Sequence, residues 1–303
     1  MGSEMCIRDR TYLQRALKQD NTMPKWSNWS GRLSHKPDSY QQIYSEQQAA
    51  ALAAYCQQQG QSIRAVGAGH SHQDLVGNDG VIVDLVGLSG VISSTEQGAW
   101  VWAGSRIHTL GLALHQHGLA LPNQGDIDQQ SIAGATATGT HGTGASLSNL
   151  SSRVTGACIA LADGSLVECS SRSEDLATKE LWLASRLHLG AFGIVTRLQL
   201  ELVPSYRLRE QTWQAPLLET LDNLQPLIND NRHCEFFWYP HTDTAQIKVI
   251  NPTDDTPEYP LAGEGERCGW NFEVLPNHRP HKHTEMEYSV PAQHGPALSL
   301  IHI

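Results

Sequence analysis

The run Ile63-Arg64-Ala65-Val66-Gly67-Ala68-Gly69-His70-Ser71 constrains this chain more than any other stretch. A short β-rich segment, residues 62–66, empties into two glycines spaced by one residue, then a histidine and a serine. Glycines there let the backbone take positive φ and bring its N–H groups close to an anionic ligand. His70 then sets a nucleophilic imidazole beside that anion site. These residues support a phosphate-bearing cofactor held by main chain and met by a histidine. For the motif taken alone, a tight turn with a surface histidine is the plain alternative.

The motif is not a Rossmann fingerprint, because His72 stands where G-x-G-x-x-G needs its third glycine. No G-x-x-x-x-G-K-[ST] occurs, which leaves a P-loop nucleotidase unsupported. Farther on, residues 121–144 run from Leu121-Pro122-Asn123 through Ser131-Ile132-Ala133-Gly134-Ala135 to Gly139-Thr140-His141-Gly142-Thr143-Gly144. So much glycine, alanine and threonine cannot build a core from large side chains. It suits a backbone that lies flat against a planar ligand and offers N–H, C=O and hydroxyl groups to its edge.

The first motif resembles the diphosphate loop of the vanillyl-alcohol-oxidase-type flavoproteins, which bind FAD in a PCMH-type domain. Residues 121–144 resemble the isoalloxazine-contacting segment of the aldonolactone and alditol oxidases. Leu189-Gly190-Ala191-Phe192-Gly193-Ile194-Val195-Thr196 resembles that family's final flavin-contacting turn and strand. Asn28-Trp29-Ser30-Gly31 matches the way these sugar oxidases begin. The resemblance covers residues 26–203 in the family's order and spacing.

The resemblance implies an α+β fold: a two-lobed PCMH-type FAD-binding domain over residues 23–203, then an incomplete α+β substrate (cap) domain over 204–297. It implies that Val66, Gly67, Ala68, Gly69, His70, Ser71 and His72 hold the diphosphate, with FAD bonded covalently through its 8α-methyl carbon to His70. Gly125, Asp126, Ser131, Ile132, Ala133, Gly134, Thr138, Gly139, His141 and Gly142 would wrap the isoalloxazine. Gly193, Ile194 and Val195 would meet its other edge or the adenine. The implied reaction takes hydride from an aldono-1,4-lactone or alditol to flavin N5 while a base removes the hydroxyl proton. Electrons then pass to O2, giving H2O2, or to a carrier. The family's base and its substrate-orienting arginine and lysine are expected past residue 303. Asp126 falls where relatives place a residue near the flavin's reactive face. Other branches of the same fold (2-hydroxyacid, cytokinin or berberine-bridge type) and an FAD-binding fragment without turnover are the alternatives.

Composition narrows the partners. With 21 basic and 31 acidic residues the formal charge is −10, which disfavours nucleic acid and anionic membrane surfaces. The six cysteines show no C-x-x-C and read as reduced packing residues. No run of 18 apolar residues and no secretory h-region occurs, so the cytoplasm is expected, with peripheral membrane association left open. Residues 1–10 and 298–303 read as translated sequencing-adapter sequence, with Met23 the plausible start. Residues 1–22 and 298–303 are therefore set outside the expected domains.

Periodicity predicts helices over 47–58, 106–117, 175–187 and 217–228. It predicts strands over 41–45, 62–66, 81–85, 99–102, 154–161, 165–169, 190–203, 234–240, 246–250 and 285–291. Ser173 or Glu174 is the expected cap of the third helix. The cluster His278-Arg279-Pro280-His281-Lys282-His283 reads as a solvated loop rather than a metal site. A hydrolase triad of Ser71, His70 and Asp74 lacks the strand–elbow–helix context.

Overall fold

The computed structural model describes residues 25–298 apart from 240, 264, 278–280 and 296. The readings made for residues 1–24, for His278 to Pro280 and for 299–303 lie outside the described residues.

Strands Ser39–Gln42, Val81–Asp84 and Ile63–Val66 form a parallel sheet with Val81–Asp84 in the middle. Helix Glu46–Gln59 carries the chain from Ser39–Gln42 across to Ile63–Val66, the two outer strands. Ser45 caps that helix by accepting from Gln48 N–H, and Gly60 ends it in the left-handed region at φ 65°. Its Ala49, Leu52, Ala53 and Cys56 are buried, and it packs on strands Val154–Ala160 and Ile194–Glu201 of a second sheet. That sheet is antiparallel, in the order Leu166–Ser170, Val154–Ala160, Ile194–Glu201, Gly98–Trp102, Val91–Thr95. Ile107, Leu110 and Leu114 of helix Ile107–Gln116 join both sheets in one continuous core. These are the two lobes expected from the sequence.

A third sheet follows, in the order His233–Trp238, Thr244–Pro252, Arg207–Pro216, Cys268–Trp270. It meets the lobes at the loop after Leu119–Ala120, at helix Ile107–Gln116 and at Thr143. Tyr206 donates its hydroxyl to Leu121 O at 3.1 Å, and Arg232 donates to Pro122 O at 2.8 Å. His115 lies 4.2 Å from the Trp270 ring.

Several expectations change. Residues 285–291 form no strand: Met286 and Tyr288 are each 81% exposed, and among the described residues no neighbour offers that backbone a ladder. The third helix, Leu176–Ser185, is capped by Asp175, not Ser173 or Glu174; Asp175 Oδ2 accepts from Thr178 N–H at 2.8 Å. The fourth helix breaks at Asn223 into Leu217–Asp222 and Leu224–Asp230, just before Pro226 removes an N–H donor. Residues 190–193 turn before strand Ile194–Glu201 begins. Within the glycine–alanine–threonine stretch, Ile132–Ala137 is a short helix capped by Ser131, which accepts from Gly134 N–H.

Candidate functional site

Strand Ile63–Val66 ends where the chain must turn at once, and Gly69 makes the turn at φ 68°. Asn28 and Trp29 staple this loop: Trp29 N–H donates to Gly69 O at 2.8 Å and Asn28 Nδ2 to Ser71 O at 3.0 Å. The Trp29 indole stacks on His70 with centroids 5.1 Å apart. Opposite lies Ser131; a Cβ on Gly67 would run into its hydroxyl. The two glycine-rich segments therefore meet with no room for side chains between them.

They open onto a cleft. Val66, Gly67, Ala68, Gly69, His70, Ser71, Ser131, Ala133, Gly134, Thr138, Gly193 and Val195 line it. Ile132 and Ile194 do not, because both are buried in the core on the other side of their elements. His72 is outside the lining as well, with a buried Nδ1 that has no partner. Lining residues missed in the sequence include Arg64, Asp84, Gly104, Arg106, Gln130 and His188. Arg64 spans the cleft, donating to Leu75 O at 3.0 Å and Gly190 O at 3.2 Å. Asp74 turns to His35, at 2.9 Å, rather than to His70.

Burial, then the nearby Arg106 guanidinium, hold His70 below the ordinary histidine range, with Glu285 opposing them. Its imidazole is therefore neutral, with a free lone pair, at neutral pH. His188 is held down by burial and by Arg64. Its Nδ1 accepts from Gly190 N–H at 2.9 Å, which puts the ring proton on Nε2.

A second cleft adjoins the first, and Gln130 and Thr138 belong to both linings. One wall is Gln124, Gly125, Asp126 and Thr138 to Thr143, including Gly139, His141 and Gly142. The other is the third sheet, through His233, Glu235, Lys248 and Ile250. Glu285 and Glu287 edge it, and His141 bridges Gly142 O at 2.9 Å and Glu287 Oε1 at 2.8 Å. The Gly142 carbonyl, outweighing burial, and then Glu287 raise the His141 pKa, which favours the imidazolium. Sequence reasoning missed His233, Glu235 and Lys248. Their only signal was period two on two adjacent strands.

Residues 37–170 match the FAD binding domain family, and residues 198–271 match the D-arabinono-1,4-lactone oxidase family. The chain is 36% identical over 252 residues to L-gulono-1,4-lactone dehydrogenase of Mycobacterium tuberculosis, covering 82% of this chain and 57% of that protein. It is 30% identical over 235 residues to L-gulonolactone oxidase of Bos taurus, covering 77% and 52%. Cholesterol oxidase from B. sterolicum shares the fold at a TM-score of 0.67 and 21% identity, over 77% of this chain and 48% of that one. With both clefts in view, the chain is an FAD-binding flavoprotein of the PCMH type. Within that class it belongs to the sugar-1,4-lactone oxidase branch. It spans about half the length of the curated relatives it matches.

Proposed function

We propose that the protein is an FAD-dependent oxidoreductase that oxidises an aldono-1,4-lactone or alditol. The observation that carries this reading is the junction of a backbone-lined cleft with a polar one at Gln130 and Thr138. The first cleft fits the cofactor: Gly67, Gly69, Gly104, Gly134, Gly190 and Gly193 bring main chain to its wall, and Arg64 and Arg106 add cations that suit a diphosphate. Residues 66–71 would hold the diphosphate, with Arg106 countering its charge. His70, neutral and held by Trp29, would bond to the flavin. Bound FAD supplies the two-electron acceptor.

Residues 124–143 would carry the substrate against the flavin's reactive face, between this loop and the third sheet. Carboxylates of Asp126, Glu285 and Glu287 edge that space and suit an uncharged polyol better than an anion. Electrons then pass to O2, giving H2O2. Residues 23–203 form the FAD-binding domain in this reading, and the substrate domain starts at 204. Five free thiols among the described residues support a reducing, cytoplasmic setting. Among the described residues no helix is long and apolar enough to cross a membrane.

Anaerobic mixing of the yellow holoprotein with L-gulono-1,4-lactone, D-arabinono-1,4-lactone or xylitol tests the activity. Bleaching of the flavin band is expected; a band that persists with all three overturns the reading. Oxygen uptake on readmitting air separates O2 from a carrier. Flavin fluorescence in the acid-denatured protein band, lost in His70→Ala, tests the covalent bond.

A further inference from the structure

The third sheet brings three chemistry-bearing side chains to the second cleft. Strands His233–Trp238 and Thr244–Pro252 run antiparallel with Glu235 opposite Lys248 and His233 opposite Ile250. Period two then sets His233 and Glu235 on one face, and all four residues line the cleft. Lys248 is only 3% exposed and pairs with Glu235 at 2.8 Å. That contact engages one of the three N–H donors of an ammonium.

His233 is 2% exposed. Its Nδ1 lies 3.1 Å from Thr143 O and 3.4 Å from Thr143 Oγ1; a carbonyl oxygen only accepts, so the nearer contact puts the ring proton on Nδ1. The Nε2 lone pair is buried and has no partner. Gln124 Oε1 and Gln130 Oε1, from two more residues of the same lining, are likewise buried without a donor. Buried acceptors left unpaired weigh against a fold. Three around one cleft call for a ligand rich in O–H groups. Hydroxyls of a neutral sugar lactone supply such donors, whereas a carboxylate brings only further acceptors into an acidic lining.

We propose that His233 and Lys248 bind the oxygens of the lactone substrate in this cleft, with Glu235 positioning Lys248. His233 Nε2 accepts from a substrate hydroxyl, and Lys248 donates to a ring or carbonyl oxygen. This assignment rests on the lactone-oxidising reading above.

The test is calorimetric titration of L-gulono-1,4-lactone into dithionite-reduced holoprotein, where binding is not followed by turnover. His233→Asn keeps a donor for Thr143 O and removes the Nε2 acceptor. Glu235→Gln with Lys248→Met removes the donor without leaving a lone charge. Each is expected to weaken lactone binding about tenfold, the equivalent of one hydrogen bond, with flavin occupancy and melting temperature unchanged. The open-chain gulonate anion should bind more weakly than the lactone in the wild type. If His233→Asn loses its flavin, the double variant decides, and unchanged lactone affinity there overturns the proposal. Wild-type holoprotein that gives no lactone response sinks the underlying reading. A wild-type response that both variants retain sinks this assignment alone.

Discussion

The two lobes and the third sheet are held together by different forces. The lobes share one apolar core that runs from Ile43 through Leu52, Val83, Leu110 and Ile159 to Leu202, and the first cleft is carved from backbone at glycines. The third sheet has a small apolar core, Leu208, Ile250, Val274 and Leu275 with Tyr206 against it. Much of its interior is charged: Glu210 is fully buried against Arg267, and Lys248 against Glu235. The first cleft is lined largely at glycines, whereas the third sheet brings His233, Glu235 and Lys248 to the second.

The sharpest way to break this contrast is Arg267→Met. Among the described residues the Glu210 carboxylate would keep only Gly265 N–H, at 2.6 Å. A buried charge stripped of its partner costs about 3–5 kcal/mol. We expect the third sheet to melt early while flavin stays in the lobes, as followed by denaturant titration with tryptophan and flavin fluorescence. Pairing Arg267→Met with Glu210→Leu should recover most of the loss, because well-packed apolar pairs replace buried ion pairs at little cost. If the single variant melts like wild type, charge does not hold this sheet.

His233 gives the next effect. Burial first, then Arg232, hold its pKa down to about 4; the Thr143 carbonyl opposes them and Lys248 adds to them. Unfolded, the ring titrates near 6.5, so between pH 6.5 and 4 the unfolded chain binds the extra proton. Stability is full above pH 6.5 and falls as pH drops through this window, by about 3 kcal/mol for such a shift. His70 and His188, also held down, add in the same direction. Asp126, His141, Glu235, Glu285 and Glu287 edge the same cleft. Melting temperatures from pH 7 to 4 should therefore fall less steeply in His233→Asn than in wild type; equal slopes would mean the ring is not held neutral.

The contrast also explains what was legible in the sequence. Helix Glu46–Gln59 announced itself through spaced alanines and the stop at Gly60, and the turn after strand Ile63–Val66 through Gly67 and Gly69. Strand Arg207–Pro216 did not, because its inward positions are Leu208 and Glu210 and a carboxylate breaks the apolar alternation. Glu235 and Lys248 are 13 positions apart, and only the strand register makes them partners. Helix Ile132–Ala137 hid within glycine and threonine, poor helix formers whose start depends on the Ser131 cap. The apolar alternation of Met286, Tyr288 and Val290 suggested a strand that no neighbour among the described residues completes. Apolar periodicity and glycine are local signals; buried ion pairs between strands are not.

Gly104→Ala tests the backbone side of the comparison. An added Cβ would run into Leu85 O and lie 2.8 Å from Leu88 O, both main chain, so the loop must shift. Overpacking of this kind costs about 1–3 kcal/mol. Because Gly104 lines the first cleft, flavin affinity should fall along with stability. Retained flavin at wild-type affinity would show that the cofactor does not need the backbone this close.

Ser45→Ala is the smallest and most discriminating change. It removes the acceptor that Gln48 N–H meets at 3.1 Å and so frees one donor at the start of helix Glu46–Gln59. Loss of such a cap costs about 1 kcal/mol, or about 2–4 °C in melting temperature. The helix packs on the antiparallel sheet far from the charged interior around Glu210, so the transition of the lobes should move and that of the third sheet should not. Arg267→Met should do the reverse. If both variants shift one shared transition equally, the two regions unfold as a unit, and their different interiors are two ways of building a single cooperative structure.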